Sequence, residues 1–179
     1  MPQVFDFDDS GMRFIRDNAF RIEKSDVHEK VKSNGVKVVE FVRIIDNQLH
    51  FVEARKSLRD INKGEKAVKY FNEEIEEIRD KFVHSLNLFA SVKICVNEEN
   101  LPDDFALPKK SLLVFVLVVK EHDIIQCKLA NDALVKSLNQ VMPRYWMHIW
   151  RPIIHVVNYE MAVKQNLIVE TTKQQNRKT

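Results

Sequence analysis

Glycine is scarce in this chain, with three residues in 179. That excludes a P-loop, a dinucleotide fingerprint or any other phosphate cradle that needs close backbone approach. Cysteine is scarce too. Cys95 and Cys127 are the two present. They have no metal-ligand spacing and read as free thiols of a reducing compartment. Charge of either sign is balanced, for a formal net charge of +2, so there is no global basic signature for nucleic acid. The longest apolar run, Ser111 to Val119, is too short to cross a bilayer as a helix. The first residues, MPQVFDFDDSG, are acidic and lack the apolar core of a signal peptide. These absences point to a soluble, cytoplasmic protein with no membrane partner.

What is present is ordinary globular composition, 45% hydrophobic and 30% charged. The length suits one domain with a substantial core. Residues 1–170 read as a single α+β domain. Residues 171–179, TTKQQNRKT, read as a polar, basic, disordered tail.

The most informative stretch is Val36 to Lys56, VKVVEFVRIIDNQLHFVEARK. Two β-rich runs flank Asp46-Asn47, and both of those residues tolerate the left-handed backbone of a tight turn. With that turn, Ile45 faces Gln48, Val42 faces Phe51, Glu40 faces Glu53 and Val38 faces Arg55. Alternation then puts Glu40, Glu53 and Arg55 on one face, among apolar neighbours. Two facing carboxylates repel, and partial burial adds to the cost. A divalent cation, the Arg55 guanidinium or a shared proton with one raised pKa would offset it.

Along the rest of the chain, Val4 to Phe7 alternates as a short strand before a turn at 8–11. Asn18 to Glu23 alternates as another strand. Ser25 or Asp26 caps a short helix through Lys32, which Asn34-Gly35 ends. Ser57 to Gly64 is a loop. Glu65 to Lys93 is the strongest helix, with Val68, Phe71, Ile75, Ile78, Phe82, Leu86 and Phe89 on one stripe. Asn97 to Lys110 is a loop. Residues 111–119 read as a strand covered on both faces. A helix over 123–142 places Ile125, Leu129, Ala133, Leu134, Leu138 and Val141 on one side, and Pro143 stops it. Arg144 to Arg151, RYWMHIWR, reads as an aromatic and basic connection that packs in the core or at an interface. Ile153 to Val157 is a last strand, and Asn158 caps a helix to Leu167. The expected fold is a mixed, mainly antiparallel sheet around the hairpin, with two long helices packed on it. The six histidines show no HExxH or other ligand spacing.

An acidic residue on one strand, then Glu53-Ala54-Arg55 on the next, then a helix and a buried strand, resembles the PD-(D/E)xK nuclease core. The resemblance implies that Glu40 and Glu53 bind Mg²⁺, that nucleic acid is the partner, and that phosphodiester hydrolysis is the reaction. In the family a lysine stands where Arg55 does here. Arginine stays protonated, so its expected role is to stabilise phosphate charge and not to act as a base. Glu23 and Glu29 are the candidates for a third ligand. The competing expectation is a non-catalytic binding or assembly module on the same scaffold, a homodimer included, in which Arg55 simply pairs with a glutamate.

Overall fold

The computed structural model describes residues 4–7, 10–102, 105 and 111–170. The expected tail at 171–179 and parts of the expected turn at 8–11 and loop at 97–110 lie outside the described residues. The strands are β1 (Val4–Phe7), β2 (Met12–Ile15), β3 (Ala19–Phe20), β4 (Phe41–Ile45), β5 (Gln48–Arg55), β6 (Leu112–Val119) and β7 (Ile153–Asn158). The helices are α1 (Asp26–Glu29), α2 (Glu65–Lys93), α3 (Ile124–Val141), α4 (Arg144–Trp150) and α5 (Tyr159–Lys164).

The fold is α+β, built on a mixed sheet in the order β3-β4-β5-β6-β7. β3, β4 and β5 are antiparallel neighbours, whereas β6 runs parallel to β5 and β7 parallel to β6. The hairpin is central, and its turn is the reason for its register. Asp46 and Asn47 adopt φ of 47° and 61°, the two left-handed positions that a two-residue hairpin loop requires. Ile45 therefore pairs with Gln48 and Val42 with Phe51, as the turn chemistry predicts. α2 then carries the chain over one face and returns it to β6 alongside β5.

Both faces of the sheet are covered, because β5 and β6 carry apolar side chains in both directions. On one face Val42, Phe51, Phe115 and Leu117 meet Ile75, Ile78, Phe82 and Leu86 of α2 and Leu134 and Leu138 of α3. Phe82 stacks on Phe115 with ring centroids 4.6 Å apart. On the other face Phe41, Val52, Val114, Val116 and Val118 meet Met12 and Phe14 of the β1–β2 hairpin and Leu167 and Ile168 near the described C-terminus. No helix among the described residues is long and apolar enough to cross a membrane.

Some expectations need correction. The strand read over 18–23 is only Ala19–Phe20. The next residues, Ile22–Lys24, wind into a 3₁₀ turn that still buries Ile22. Strand β4 begins at Phe41, not Val36. Val68 is 41% exposed, so the buried stripe of α2 starts at Phe71. α3 buries Cys127, Ala130, Leu134, Ser137 and Leu138, while Ile125, Leu129 and Val141 are exposed. Its inward face mixes the small Cys127, Ala130 and Ser137 with Leu134 and Leu138. RYWMHIWR is no mere connection: residues 144–150 form helix α4, and Trp146 is its buried residue.

Candidate functional site

Glu53 lies near the C-terminal end of β5, the middle strand of the sheet, and points to the α2 side with Phe51 and Arg55. It is fully buried. Burial of an acid at this depth requires partners, and α2 supplies the first. The Lys81 ammonium donates to Glu53 Oε1 at 2.8 Å. Arg55 Nε lies 3.0 Å from the same oxygen, although its N–H is not aligned for a hydrogen bond. The Arg55 guanidinium is held from its far side by Glu77 Oε1 at 2.6 Å, and Glu77 Oε2 is bridged to Lys37 at 3.0 Å. The result is a chain of alternating charges from the loop before β4, across α2, to the sheet centre.

One atom is left out of that chain. Among the described residues, no donor reaches Glu53 Oε2. Its carboxyl is pushed up by burial, against the pull of Lys81 and Arg55. Glu40 is the neighbouring acid. It lies one residue before β4, past the last ladder pair Phe41–Val52, so the expected pairing of Glu40 with Glu53 is not part of the ladder; its N–H donates to Val52 O at 3.1 Å. Its own carboxyl is pushed up to about 7 by burial first and then by the charges of Glu53 and Glu23, with Lys81 and Arg21 opposing. Repulsion from Glu53 helps to raise Glu40, and Lys81 opposes the rise in both acids.

The approach of Glu40 is fixed by buried contacts. Ser85 Oγ of α2 accepts from Val39 N at 2.8 Å, and both residues are buried. The His28 ring spans Glu23 O at 3.0 Å and Val36 O at 3.1 Å, tying the 3₁₀ turn to the lead-in of β4. Ser85→Ala removes the acceptor of a buried backbone N–H. The expected loss is about 1–3 kcal/mol of unfolding free energy, measured by urea denaturation. Faster amide exchange at Val39 and Glu40 should accompany it, with exchange at the Asp46-Asn47 turn unchanged.

The expected site residues are thus brought together in part. Glu53 and Arg55 share a face, as the register predicts, and Glu53 lies close enough to Glu40 to raise its carboxyl. Glu23 belongs to the same neighbourhood and pairs with Arg21 at 3.3 Å. Glu29 does not: it is exposed and pairs with Lys32. Lys81 is the residue that sequence reasoning missed. The available signal was its place at the border of the α2 stripe, between Ile78 and Phe82 and one turn before the buried Ser85.

Among the described residues, no trio of His, Cys, Asp or Glu could hold a metal ion. Two carboxylates are nonetheless a sufficient protein contribution for Mg²⁺ or Mn²⁺, which keep several waters and take one or two carboxylates. Glu53 Oε2, buried and without a donor among the described residues, and the neighbouring Glu40, whose carboxyl is pushed up to about 7, are the groups that would hold such an ion. A tetrahedral zinc centre would need more N or S donors than the pair offers.

No protein-family model, no curated protein and no solved structure matches the chain. Fold and site define a class only: an α+β chain with a fully buried glutamate and a half-buried acidic neighbour at the end of a central hairpin, the buried one flanked by cations from its own strand and from the following helix.

Proposed function

We propose that the chain is a divalent-cation-dependent nuclease-like phosphodiesterase, with Glu40 and Glu53 as the cation ligands. One observation carries this reading: the fully buried Glu53 carboxyl has one oxygen committed to Lys81 and the other without a donor, near a second acid whose carboxyl is pushed up to about 7. A carboxylate pair in that state gains free energy from a cation placed between its members. The element order, with β5, α2 and the buried β6 following Glu40, supports the same reading.

When bound, Mg²⁺ or Mn²⁺ supplies Lewis-acid polarisation of a phosphoryl oxygen and a water of lowered pKa. The chain's own groups have separate tasks. Glu53 is oriented by Lys81 on one oxygen, which leaves the other directed to the cation. Lys81 is the amine beside the acid pair, held by its 2.8 Å hydrogen bond to Glu53 Oε1. Arg55, always charged and clamped by Glu77, opposes the burial that raises Glu53 and offers positive charge to phosphate. The amine of the family's strand lysine is thus supplied from the helix.

A second reading is favoured by the completeness of the ion network around Arg55 and Glu77. On it, the same residues are structural and the chain is a non-catalytic binding or assembly module. The readings separate in a cleavage assay on labelled single- and double-stranded DNA and RNA with Mg²⁺ or Mn²⁺. The proposal expects cation-dependent cleavage in the wild type that falls by at least about a hundredfold in Glu40→Gln and in Lys81→Met, since each removes a group acting on the reacting centre. Wild-type cleavage that is absent, or equal in Glu40→Gln, would favour the structural reading.

A further inference from the structure

The region that follows the acid pair carries a separate set of groups. Between residues 55 and 69 there are six cations, Arg55, Lys56, Arg59, Lys63, Lys66 and Lys69, against two acids, Asp60 and Glu65, in a chain whose net charge is only +2. Three of these cations, Arg59, Lys63 and Lys66, line a cleft of about 740 Å³ together with Tyr70, His122 and the acids Asp60, Glu74 and Glu121. Tyr70 is 41% exposed, a large exposure for an aromatic ring with no core to fill. The Arg59 guanidinium lies 6.0 Å and the Lys66 ammonium 5.7 Å from its ring centroid.

The acids that border the cleft are already committed. Asp60 accepts from Asn62 N and Nδ2 at 3.0 Å, capping the 3₁₀ turn Ile61–Lys63. Glu74 accepts from Arg59 N at 2.8 Å. Glu121 lies 3.6 Å from Lys56. Lys63 and Lys66 have no ion pair among the described residues. Their charge is therefore presented to solvent beside an aromatic ring.

The cleft is aligned with the acid pair. Tyr70, Glu74, Glu77 and Lys81 recur at spacings of four, three and four along one side of α2. In that order they hold or flank Arg59, Arg55 and Glu53. From Tyr70 to Lys81 the helix rises about 16 Å, a span that a few nucleotides of an extended strand cover. On another side of α2 the surface is acidic. A neighbouring cleft is lined by Glu73, Glu76, Glu77 and Asp80, with Lys37 and His84. A polyanion is repelled there and admitted along the Lys63–Tyr70 side.

We propose that this cleft binds single-stranded nucleic acid, with an unpaired base stacked on Tyr70 or on its Arg59 neighbour and the flanking phosphates held by Lys63 and Lys66. The strand then leads toward Glu40 and Glu53. The inference rests on the phosphodiesterase reading only in calling that strand the substrate. An unpaired strand is the occupant because stacking on a protein ring needs a free base face, and cations with an aromatic between them are the chemistry of sequence-tolerant single-strand binding.

The test is fluorescence anisotropy of a labelled oligothymidylate of about a dozen nucleotides, at low salt and in EDTA so that no cation site takes part. The wild type is expected to bind it more tightly than a duplex of the same length. Lys63→Glu/Lys66→Glu should weaken binding at least about tenfold and flatten the log–log salt dependence by about 1.4, the slope for two lost phosphate contacts on a single strand. Tyr70→Ala should weaken binding by about fivefold or more, the loss of a stacked base. Lys136→Glu, toward the other end of α3, should bind as the wild type does. These positions in the cleft are exposed, so unchanged melting temperatures will show that the fold is intact. No binding by the wild type, a preference for duplex, or variants that bind like the wild type would overturn the assignment. Strand binding without cleavage in Mg²⁺ or Mn²⁺ leaves the cleft standing and removes the hydrolytic reading. Cleavage that is indifferent to Lys63 and Lys66 does the reverse.

Discussion

Replacing Lys81 by methionine is expected to cost about 3–5 kcal/mol of unfolding free energy at neutral pH, the loss typical of breaking a buried ion pair from one side. Methionine matches the length of the lysine stem, so apolar packing changes little and the effect isolates the charge. Glu53 is then left fully buried with only the misaligned Arg55 N–H near its charged oxygen. The remaining adjustment is for Glu53 to take up a proton. The loss should therefore shrink as the pH is lowered, and it should be largely reversed in the double variant Lys81→Met/Glu53→Gln. Urea denaturation of the two single variants and the double variant gives the coupling energy. A coupling near zero would mean that the 2.8 Å contact is not what keeps Glu53 charged.

Glu40 produces the second large effect, and it has the opposite sign to the usual carboxylate behaviour. Its folded-state pKa of about 7 lies above the ordinary value of 4.5. The folded state therefore binds more protons than the unfolded chain between those values, and stability falls as pH rises through that window. The groups facing Glu40 are Glu53 on β5, Glu23 and Arg21 before α1, and Lys81 on α2. The two acids deepen the effect and the two cations limit it. Its size is about 2–3 kcal/mol between pH 4.5 and pH 8. Glu77, whose pKa is lowered by Arg55 and Lys37 once its burial is overcome, acts in the other direction below its ordinary value, so the two contributions occupy different windows. Glu40→Gln should therefore be more stable than the wild type at pH 8 and nearly equal at pH 5. Equal stability at both pH values would mean that neither burial nor the neighbouring acids raise the Glu40 carboxyl in the folded state.

The central hairpin was legible because one physical feature fixes it. Asp46-Asn47 supplies two left-handed residues, which sets the register and so the face of Glu53 and Arg55. The long helix and the buried strand were legible from periodicity and from unbroken apolar character. The start of β4 was not, because Val38 and Val39 are both buried and so break the alternation that defines a strand. α3 misled because its inner face uses Cys127, Ala130 and Ser137, whereas a count of large apolar residues selects Ile125 and Leu129, which are exposed. Lys81 was hidden for a related reason. In a helix dense with Glu, Arg, Asp and Lys, nothing local separates the one cation that turns inward from those on the solvated face. Only the partner, Glu53 on a strand 28 residues earlier, does so.

The account turns on whether Glu40 and Glu53 exchange a proton for a cation. The direct measurement is isothermal titration calorimetry of Mn²⁺ and Mg²⁺ into the wild type, Glu40→Gln and Glu53→Gln, at pH 8 and in buffers of different ionisation enthalpy, with circular dichroism to confirm folding. The wild type should bind a single cation, with proton release that grows as the pH is lowered toward 7. Glu40→Gln, the more stable protein at that pH, should lose the binding. Silence of the wild type at millimolar Mn²⁺, or undiminished binding in Glu40→Gln, would contradict the account and leave the acid pair as a structural charge cluster.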